Sequence, residues 1–466
     1  MQLGEDITVP SAPVPPSQES GLARLAGARV LVLGLGVSGR AAARFCAERG
    51  AHVVAADEAP AEALGDIGEV RANAEIVVGQ PWPDPADFDL VVPSPGIAPR
   101  RYAARASRVW GDIELAGRAL EVPIVAVTGT NGKSTTTCMI EAMLRAAGLR
   151  ARAAGNLGDS ALDLVGEALD VAVLEVSSFQ LEATEAFRPH VALLLNVSPD
   201  HLDRHGDLAA YTACKARIFA RQHRTDFAVL DIDAPRLAAL APTCAASILG
   251  YSRTAPPAQG AWLDASCVRV RSAAGEARID LADIARGSRH DLDNAAMALL
   301  AVHALGVDLR RAGAGLSSFA RLPHRSEDLG EIGGVRYIND SKATNPGAAA
   351  RSIAGRPGPV IWIAGGRNKA LDFGPLARTA RTGVRRALLI GEAAPALADA
   401  LAGSVACEQS GTLERAVARA AEIAQPGDVV VLAPACASFD QFASYAARGE
   451  AFREAVRRLA PKGARR

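Results

Sequence analysis

An apolar run, Ile124–Val127, leads into Thr128-Gly129-Thr130-Asn131-Gly132-Lys133-Ser134. A glycine-rich loop between a strand and a helix turns successive backbone N–H groups toward one point, where they and the helix terminus hold phosphate. Gly129, Thr130, Asn131 and Gly132 form that loop, with Lys133 placed for the β- and γ-phosphates of ATP and Ser134 or Thr135 for Mg²⁺. The loop is short. The usual signature has four residues between its first glycine and Gly-Lys-Ser/Thr, whereas here only Thr130 and Asn131 separate Gly129 from Gly132, and Val127 stands where the first glycine belongs. Every part that acts directly on phosphate is retained.

Two further polar clusters close apolar runs. "DVAVLEVSS" ends at Glu175, where a carboxylate of the Walker type meets the metal, and "HVALLLNVS" runs into "PDHLDRHG" with His201. Taken singly, the glutamate fits a solvated strand cap equally well, and the histidine fits a structural role. Lys215 in "YTACKARIF" reads from its surroundings as a surface lysine on a helix. Nearer the start, Gly34, Gly36 and Gly39 form G-x-G-x-x-G after the run Val30–Leu33, and Asp57 closes the next strand. Such a set brings backbone close to a diphosphate at a helix N-terminus. It does not require a nicotinamide, since a UDP-sugar carries the same group, and glycines that only permit tight strand–helix packing leave the same trace.

The elements that must position these residues alternate between strand and helix, which argues for parallel sheets with ligands at the strands' carboxyl ends. Beyond "FARLPHRSEDLG" the alternation restarts with "VRYINDSKATNPG", "PVIWIAGGRNKALDF", "RALLIGEAAPALADALAG" and "DVVVLAPACASFDQF". The stretch 241–281 has short strand-like runs and is less legible. At 466 residues the chain suggests roughly three domains. The fold expected is α/β in three parts: a Rossmann-like domain over 21–120, a central P-loop-type domain with a parallel sheet over 121–320, and a Rossmann-like domain over 321–466. Residues 1–20, rich in Pro and Ser, read as a disordered lead-in.

Composition excludes several classes. Lysine plus arginine and aspartate plus glutamate number 51 each, which gives no electrostatic case for nucleic acid or a membrane surface. The 7 cysteines lack any C-x-x-C spacing, so neither a zinc cluster nor a disulfide framework is indicated. No apolar segment approaches membrane-spanning length, and a cytoplasmic protein is expected.

"VTGTNGKSTTT", "GNLG", "LEVSSFQLE", "NVSPDHLDRHG", "YTACKARIF", "LPHRSE", "NDSKATNPGA", "IAGGRNKALDF" and "PACASFDQF" together resemble the Mur ligases of peptidoglycan synthesis. The similarity runs from about residue 28 to 458. The resemblance implies three domains, for UDP, ATP and amino acid in that order, together with ATP, two Mg²⁺ sites and an acyl-phosphate route. The substrates it implies are UDP-N-acetylmuramoyl-L-alanine and D-glutamate, handled by a cytoplasmic monomer. Lys133, Glu175, His201 and Lys215 are then the catalytic set. Ser134, Glu175 and His201 are implied as metal ligands, with Lys215 joining them once carbamylated by CO₂ into an anion. Asn294, Arg325 and Asp340 match nucleotide contacts. Val37, Ser94, Gly96, Asn156 and His201 match the UDP-muramoyl-alanine side, and Thr344, Lys369, Ser438 and Tyr445 the incoming glutamate.

The chain also departs from the family pattern. His290-Asp291 replaces the usual His-Asn, Glu58 and Ala59 follow Asp57 where Thr-Arg is common, and Tyr445 stands where Phe is frequent. Other readings stay open at this level. A related ligase could take L-glutamate or a folate polyglutamate chain, although the N-terminal G-x-G-x-x-G unit argues against the folate type. An NAD(P)-binding oxidoreductase rests on that unit and Asp57 but gives GTNGKS no role. A non-enzymatic nucleotide switch is the third class.

Overall fold

A computed structural model of the chain describes residues 21–264, 267–272, 275–281, 289–317, 319, 323–354, 356–367 and 372–459. The expected lead-in 1–20 and Lys369 lie outside the described residues. The chain divides into two compact units, one of residues 1–197 and 209–319, the other of residues 198–208 and 320–466.

The first unit carries two sheets. Strands β1 (Arg29–Leu33), β2 (His52–Asp57), β3 (Glu75–Val78) and β4 (Leu90–Pro93) form a parallel sheet in the order β3-β2-β1-β4. Helix α1 (Val37–Glu48) follows β1, and α2 (Asp112–Ala119) leads toward the second sheet. That sheet comprises β5 (Ile124–Thr128), β6 (Ala151–Gly155), β7 (Val171–Glu175), β8 (Val191–Leu194), β9 (Phe227–Asp231), β10 (Ser247–Ser252), β11 (Gly260–Asp264), β12 (Cys267–Ser272) and β13 (Gly275–Asp280). Its order is β13-β12-β11-β10-β9-β8-β5-β7-β6. The pairings are parallel from β6 to β11, and β12 and β13 extend the sheet antiparallel. The poorly legible stretch therefore holds four strands, whose mixed direction explains why no βα alternation marks it.

The central strands are apolar throughout because both faces are covered. Along β5, Val125 and Val127 pack with Met139, Ile140 and Leu299, while Ile124 and Ala126 pack with Ile113, Leu115 and Leu181. The first face is closed by α3 (Lys133–Ala146), α6 (Arg289–Ala304) and α7 (Leu309–Ser317); α4 (Ser178–Leu181) and α5 (Leu208–Ala216) lie between α3 and α6 in the chain. In α6 every residue from Ala295 to Val302 is buried, so the helix is apolar on all sides rather than striped. Each buried Leu or Val there contributes about 1.5–3 kcal/mol relative to exposure.

The second unit has one sheet, β14 (Glu327–Ile332), β15 (Val335–Asn339), β16 (Val360–Gly365), β17 (Val384–Ile390), β18 (Cys407–Gly411) and β19 (Val429–Leu432), in the order β14-β15-β19-β16-β17-β18. Only the β14–β15 pairing is antiparallel. Alternate residues again serve opposite faces: Val360, Trp362 and Ala364 one, Ile361 and Ile363 the other. Helices α8 (Pro346–Ile353) and α9 (Tyr445–Leu459) carry residues of the site. Among the described residues no helix is long and apolar enough to cross a membrane, and none of the seven cysteines forms a disulfide.

Candidate functional site

In the first unit the short loop leaves β5 and enters α3, whose N-cap Gly132 has φ 86°, a left-handed conformation that suits glycine. A Cβ on Gly132 would lie 2.4 Å from Asn294 Oδ1, so Asn294 of α6 stands against the loop. Asn196, two residues beyond β8, clamps the loop from the other side. Its carbonyl accepts from Thr130 N at 2.9 Å, its Oδ1 accepts from Asn131 N at 2.9 Å, and its Nδ2 donates to Asn131 O at 3.0 Å. Lys133 Nζ folds back to Gly129 O at 3.0 Å and Thr130 O at 3.2 Å.

Glu175 is the hub of this end of the sheet. It closes β7 with 1% of its surface exposed. Its Oε2 accepts from Ser134 Oγ in a short hydrogen bond, and its Oε1 accepts from Asn156 Nδ2 at 2.7 Å. The backbone supports the same contact, Asn156 N donating to Glu175 O at 2.9 Å. A carboxylate buried among neutral donors beside a serine hydroxyl is a set of hard oxygens suited to Mg²⁺.

Lys215 lies on α5 and is 1% exposed, which overturns the surface reading of its helix. Its Nζ donates to Gly129 O at 2.8 Å and stands 4.6 Å from the ring centre of Tyr211. Thr130 Oγ1 in turn reaches Tyr211 Oη at 3.4 Å. A buried ammonium touching the phosphate loop is costly unless function requires it there.

At the first sheet, Gly39 is needed for close approach, since a Cβ there would sit 1.8 Å from Gly34 O. Ser94 Oγ donates to Gly34 O at 2.9 Å, bringing the Pro93–Pro99 loop beside the glycines. Asp57 uses both oxygens on main chain, accepting from Leu35 N at 2.8 Å and Ala59 N at 2.9 Å. It shapes the loop instead of projecting toward a ribose. Val37, at the start of α1, exposes 63% of its surface. Glu58, one of the departures, pairs with Arg101 at 2.6 Å, and Arg101 lies 3.9 Å over the ring of Trp82.

In the second unit Asp340 follows β15. Burial raises its carboxyl above the usual range, opposed by the Ser352 hydroxyl and the charges of Arg325 and Arg356. Arg325 sits between two non-glycine residues in left-handed backbone, His324 at φ 60° and Ser326 at φ 44°. Strain on both sides of one residue marks a conformation imposed by its surroundings. Asn345 caps α8 through Ala348 N at 2.8 Å and donates to Asp200 Oδ2 at 2.9 Å. Asp200 Oδ1 accepts from His201 N at 3.0 Å, and His201 has φ 54°. His201 thus belongs to the unit of Thr344, Ser438 and Tyr445, while Ser134, Glu175, Asn156, Asn294 and Lys215 belong to the other.

Arg448, on α9, is 1% exposed and faces no carboxylate within ion-pair range among the described residues. Its guanidinium donates to Ser341 Oγ and Ser341 O, both at 3.0 Å, to Ala437 O and Cys436 O, both at 3.2 Å, and to Gly365 O at 3.5 Å. It ties the loops that follow β15 and β19 to the end of β16. Burial lowers its pKa to about 10. Beside it, Lys342 Nζ lies 3.8 Å from the ring of Tyr445, and Ser438 is buried. Sequence reasoning missed Asn196, Tyr211 and Arg448; Asn196 was findable as the polar residue just past an apolar strand.

A shortened phosphate loop whose serine meets a buried strand-end glutamate, beside a buried lysine, defines an α/β protein built to hold phosphate. The chain belongs to the Mur ligase family. Residues 127–302 match the Mur ligase middle domain and residues 324–436 the Mur ligase, glutamate ligase domain. The chain is 40% identical over 445 residues to the UDP-N-acetylmuramoylalanine–D-glutamate ligase of Geobacter metallireducens, covering 93% of this chain and 98% of that one. It is 44% identical over 465 residues to the enzyme of that name from Anaeromyxobacter dehalogenans, covering 95% and 99%. Among solved structures, the MurF ligase of Thermotoga maritima in complex with ADP shares the fold, with a TM-score of 0.60 at 18% identity over 88% of this chain and 96% of that one.

Proposed function

We propose that this chain joins the carboxylate of UDP-N-acetylmuramoyl-L-alanine to the amine of D-glutamate, with cleavage of ATP to ADP and phosphate, in cytoplasmic peptidoglycan precursor synthesis. The observation that carries the reading is the buried set of Ser134, Glu175 and Lys215 at the phosphate loop. Relatives at 40% and 44% identity bear the name of that activity. Residues 21–120 take the UDP part through the glycine loop with Val37, Ser94 and Gly96. Residues 121–320 take ATP, and residues 321–466 take the amino acid through Thr344, Lys369, Ser438 and Tyr445. In the second unit, Arg325 and Asp340 are the residues assigned to nucleotide binding.

A free carboxylate is a poor acyl donor to an amine, and phosphorylation supplies a leaving group. A carboxylate oxygen of the muramoyl-alanine attacks the γ-phosphorus and ADP departs, leaving an acyl phosphate. The glutamate amine adds to the acyl carbon to give a tetrahedral intermediate, which expels phosphate as the nitrogen loses its proton. The loop N–H groups and Lys133 hold the phosphates in line. Ser134 Oγ and the Glu175 carboxylate fit Mg²⁺, which when bound supplies neutralising charge beside the transferring phosphoryl group. A carbamate on Lys215 Nζ converts a buried ammonium into an anionic oxygen donor, which accounts for a lysine placed beside a cation site. The chain acts as a monomer, which light scattering checks.

Purified protein with ATP, Mg²⁺, UDP-N-acetylmuramoyl-L-alanine and either glutamate enantiomer tests the proposal. Phosphate release is expected only with both acceptor and glutamate, and faster with the D-form. Absence of release in every combination refutes the ligase reading, and a preference for the L-form corrects the substrate.

A further inference from the structure

The first unit has two ligand-bearing ends, the glycine loop of the first sheet and the Glu175 end of the second. One buried carboxylate touches both. Asp112, the first residue of α2, is 2% exposed. Its Oδ2 accepts from Ser38 Oγ at 2.7 Å and from Gln180 Nε2 at 3.0 Å, and its Oδ1 accepts from Ile113 N at 2.9 Å. Ser38 is the second residue of α1, next to Val37 and within the glycine set that runs from Gly34 to Gly39. Gln180 lies in α4, the turn that follows Glu175. Its Oε1 accepts from Ser177 N at 3.0 Å and from Ser177 Oγ at 3.1 Å, and its own N–H donates to Ser177 Oγ at 3.2 Å. Every polar atom of the Gln180 side chain is therefore engaged, with its amide nitrogen committed to Asp112. The neighbouring backbone is locked in the same sense, since Gly111 N donates to Ala183 O at 2.8 Å and a Cβ on Gly111 would lie 3.1 Å from Ala183 Cβ.

We propose that Asp112 is a positioning residue that fixes the separation between the loop holding the diphosphate and the strand end holding the reacting carboxylate. The inference rests on the proposed substrate, whose UDP part and alanyl carboxylate lie at its opposite ends. A ligand that spans two loops gains from both only when their spacing is fixed before it arrives, because ordering them on binding subtracts from affinity. Misplacement by about 1 Å at a remote support costs on the order of 10²-fold in rate. Burial pushes the Asp112 carboxyl upward against the hydrogen bonds of Ser38 and Gln180. An isolated acid there would be unfavourable, and its retention follows if it serves as the shared acceptor.

Calorimetric titration of the whole protein with three ligands separates this role from general destabilisation. For Asp112→Ala, binding of UDP-N-acetylmuramoyl-L-alanine weakens about tenfold, while UDP, which reaches only the first loop, and ATP, which reaches only the second, bind within about twofold of wild type. Asp112→Asn keeps an acceptor for Ser38 and Gln180 and gives up the bond from Ile113. It restores the spanning ligand to within about threefold of wild type, and Ser38→Ala behaves like Asp112→Ala. Equal weakening of UDP and the spanning ligand, or no weakening of either, overturns the inference. Wild-type protein that binds UDP-N-acetylmuramoyl-L-alanine no better than UDP sinks the substrate reading itself, a result distinct from either of those.

Discussion

Replacing Lys215 separates stability from activity. Its Nζ donates to Gly129 O at 2.8 Å and faces the Tyr211 ring at 4.6 Å. Lys215→Met keeps the length of the stem and removes the charge. The Gly129 carbonyl keeps the Lys133 Nζ donor at 3.0 Å, so losing that of Lys215 costs about 0.5–1.5 kcal/mol, and loss of the cation over the ring costs about 1–2 kcal/mol more. Against these, a buried ammonium carries a desolvation penalty of several kcal/mol, which the thioether does not. The terms nearly cancel, so the denaturation midpoint of Lys215→Met should move little, by no more than about 2 kcal/mol in either direction. Activity has no such compensation. Loss of one preorganised charged group at a phosphoryl-transfer centre costs roughly 10²–10³ in kcat. Lys215→Ala loses the same group and opens a space about the size of a small carboxylic acid, so acetate or propionate should restore part of its activity. Urea denaturation by circular dichroism reads the first quantity and phosphate release the second. Full activity of either variant, or a loss of activity that tracks unfolding, removes Lys215 from the reacting centre.

Three other outcomes are expected. Gly155 has φ 97°, and a Cβ there would meet Glu175 O at 2.4 Å; Gly155→Ala should therefore cost at least 1–2 kcal/mol from backbone strain alone, lower the melting temperature and cut phosphate release by displacing Asn156. Trp362→Phe leaves Ala433 O without the indole donor that it holds at 2.8 Å, and urea midpoints should report a loss of about 1–3 kcal/mol with little change in KM for ATP. Burial acts to raise the Asp226 carboxyl, but hydrogen bonds from His190, Arg188 and His223 outweigh it and hold the group below the usual range. That contribution to stability is present above the unfolded value of about 3.9 and is lost as pH falls through the folded one, so Asp226→Asn should be less stable at pH 7 and show a shallower decline in melting temperature below about pH 4.

Much of the fold was legible because strands buried on both faces leave uninterrupted apolar runs. Ile124–Val127 lengthened by one residue into β5, and the polar residues ending such runs, Glu175 above all, do lie at carboxyl ends of a parallel sheet. Phe88 is apolar and clusters with Leu31 and Tyr102, yet β4 begins only at Leu90. Lys215 defeated local reading for a definite reason. The helix that carries it has no clean apolar stripe, and its burial comes from a loop 86 residues away in the chain. Long-range pairings such as Asp112 with Ser38 and Gln180 are likewise invisible to periodicity, since no spacing rule connects an acid at a helix start to two distant loops.

Arg448 has a consequence for the order in which the second unit is made. The carbonyls and the hydroxyl that it gathers belong to residues 341, 365, 436 and 437, all of which leave the ribosome before it does. The six-stranded sheet can pair as soon as β19 has emerged. The loops at its carboxyl end are joined in pairs by then, Ala435 N to Ala343 O and Gly365 N to Pro434 O, both at 2.8 Å, and gain their shared buried cation only when the helix beginning at Tyr445 arrives. A nascent chain paused between β19 and that helix therefore holds a paired sheet whose loops still lack the side chain that Gly365 O, Cys436 O and Ala437 O share.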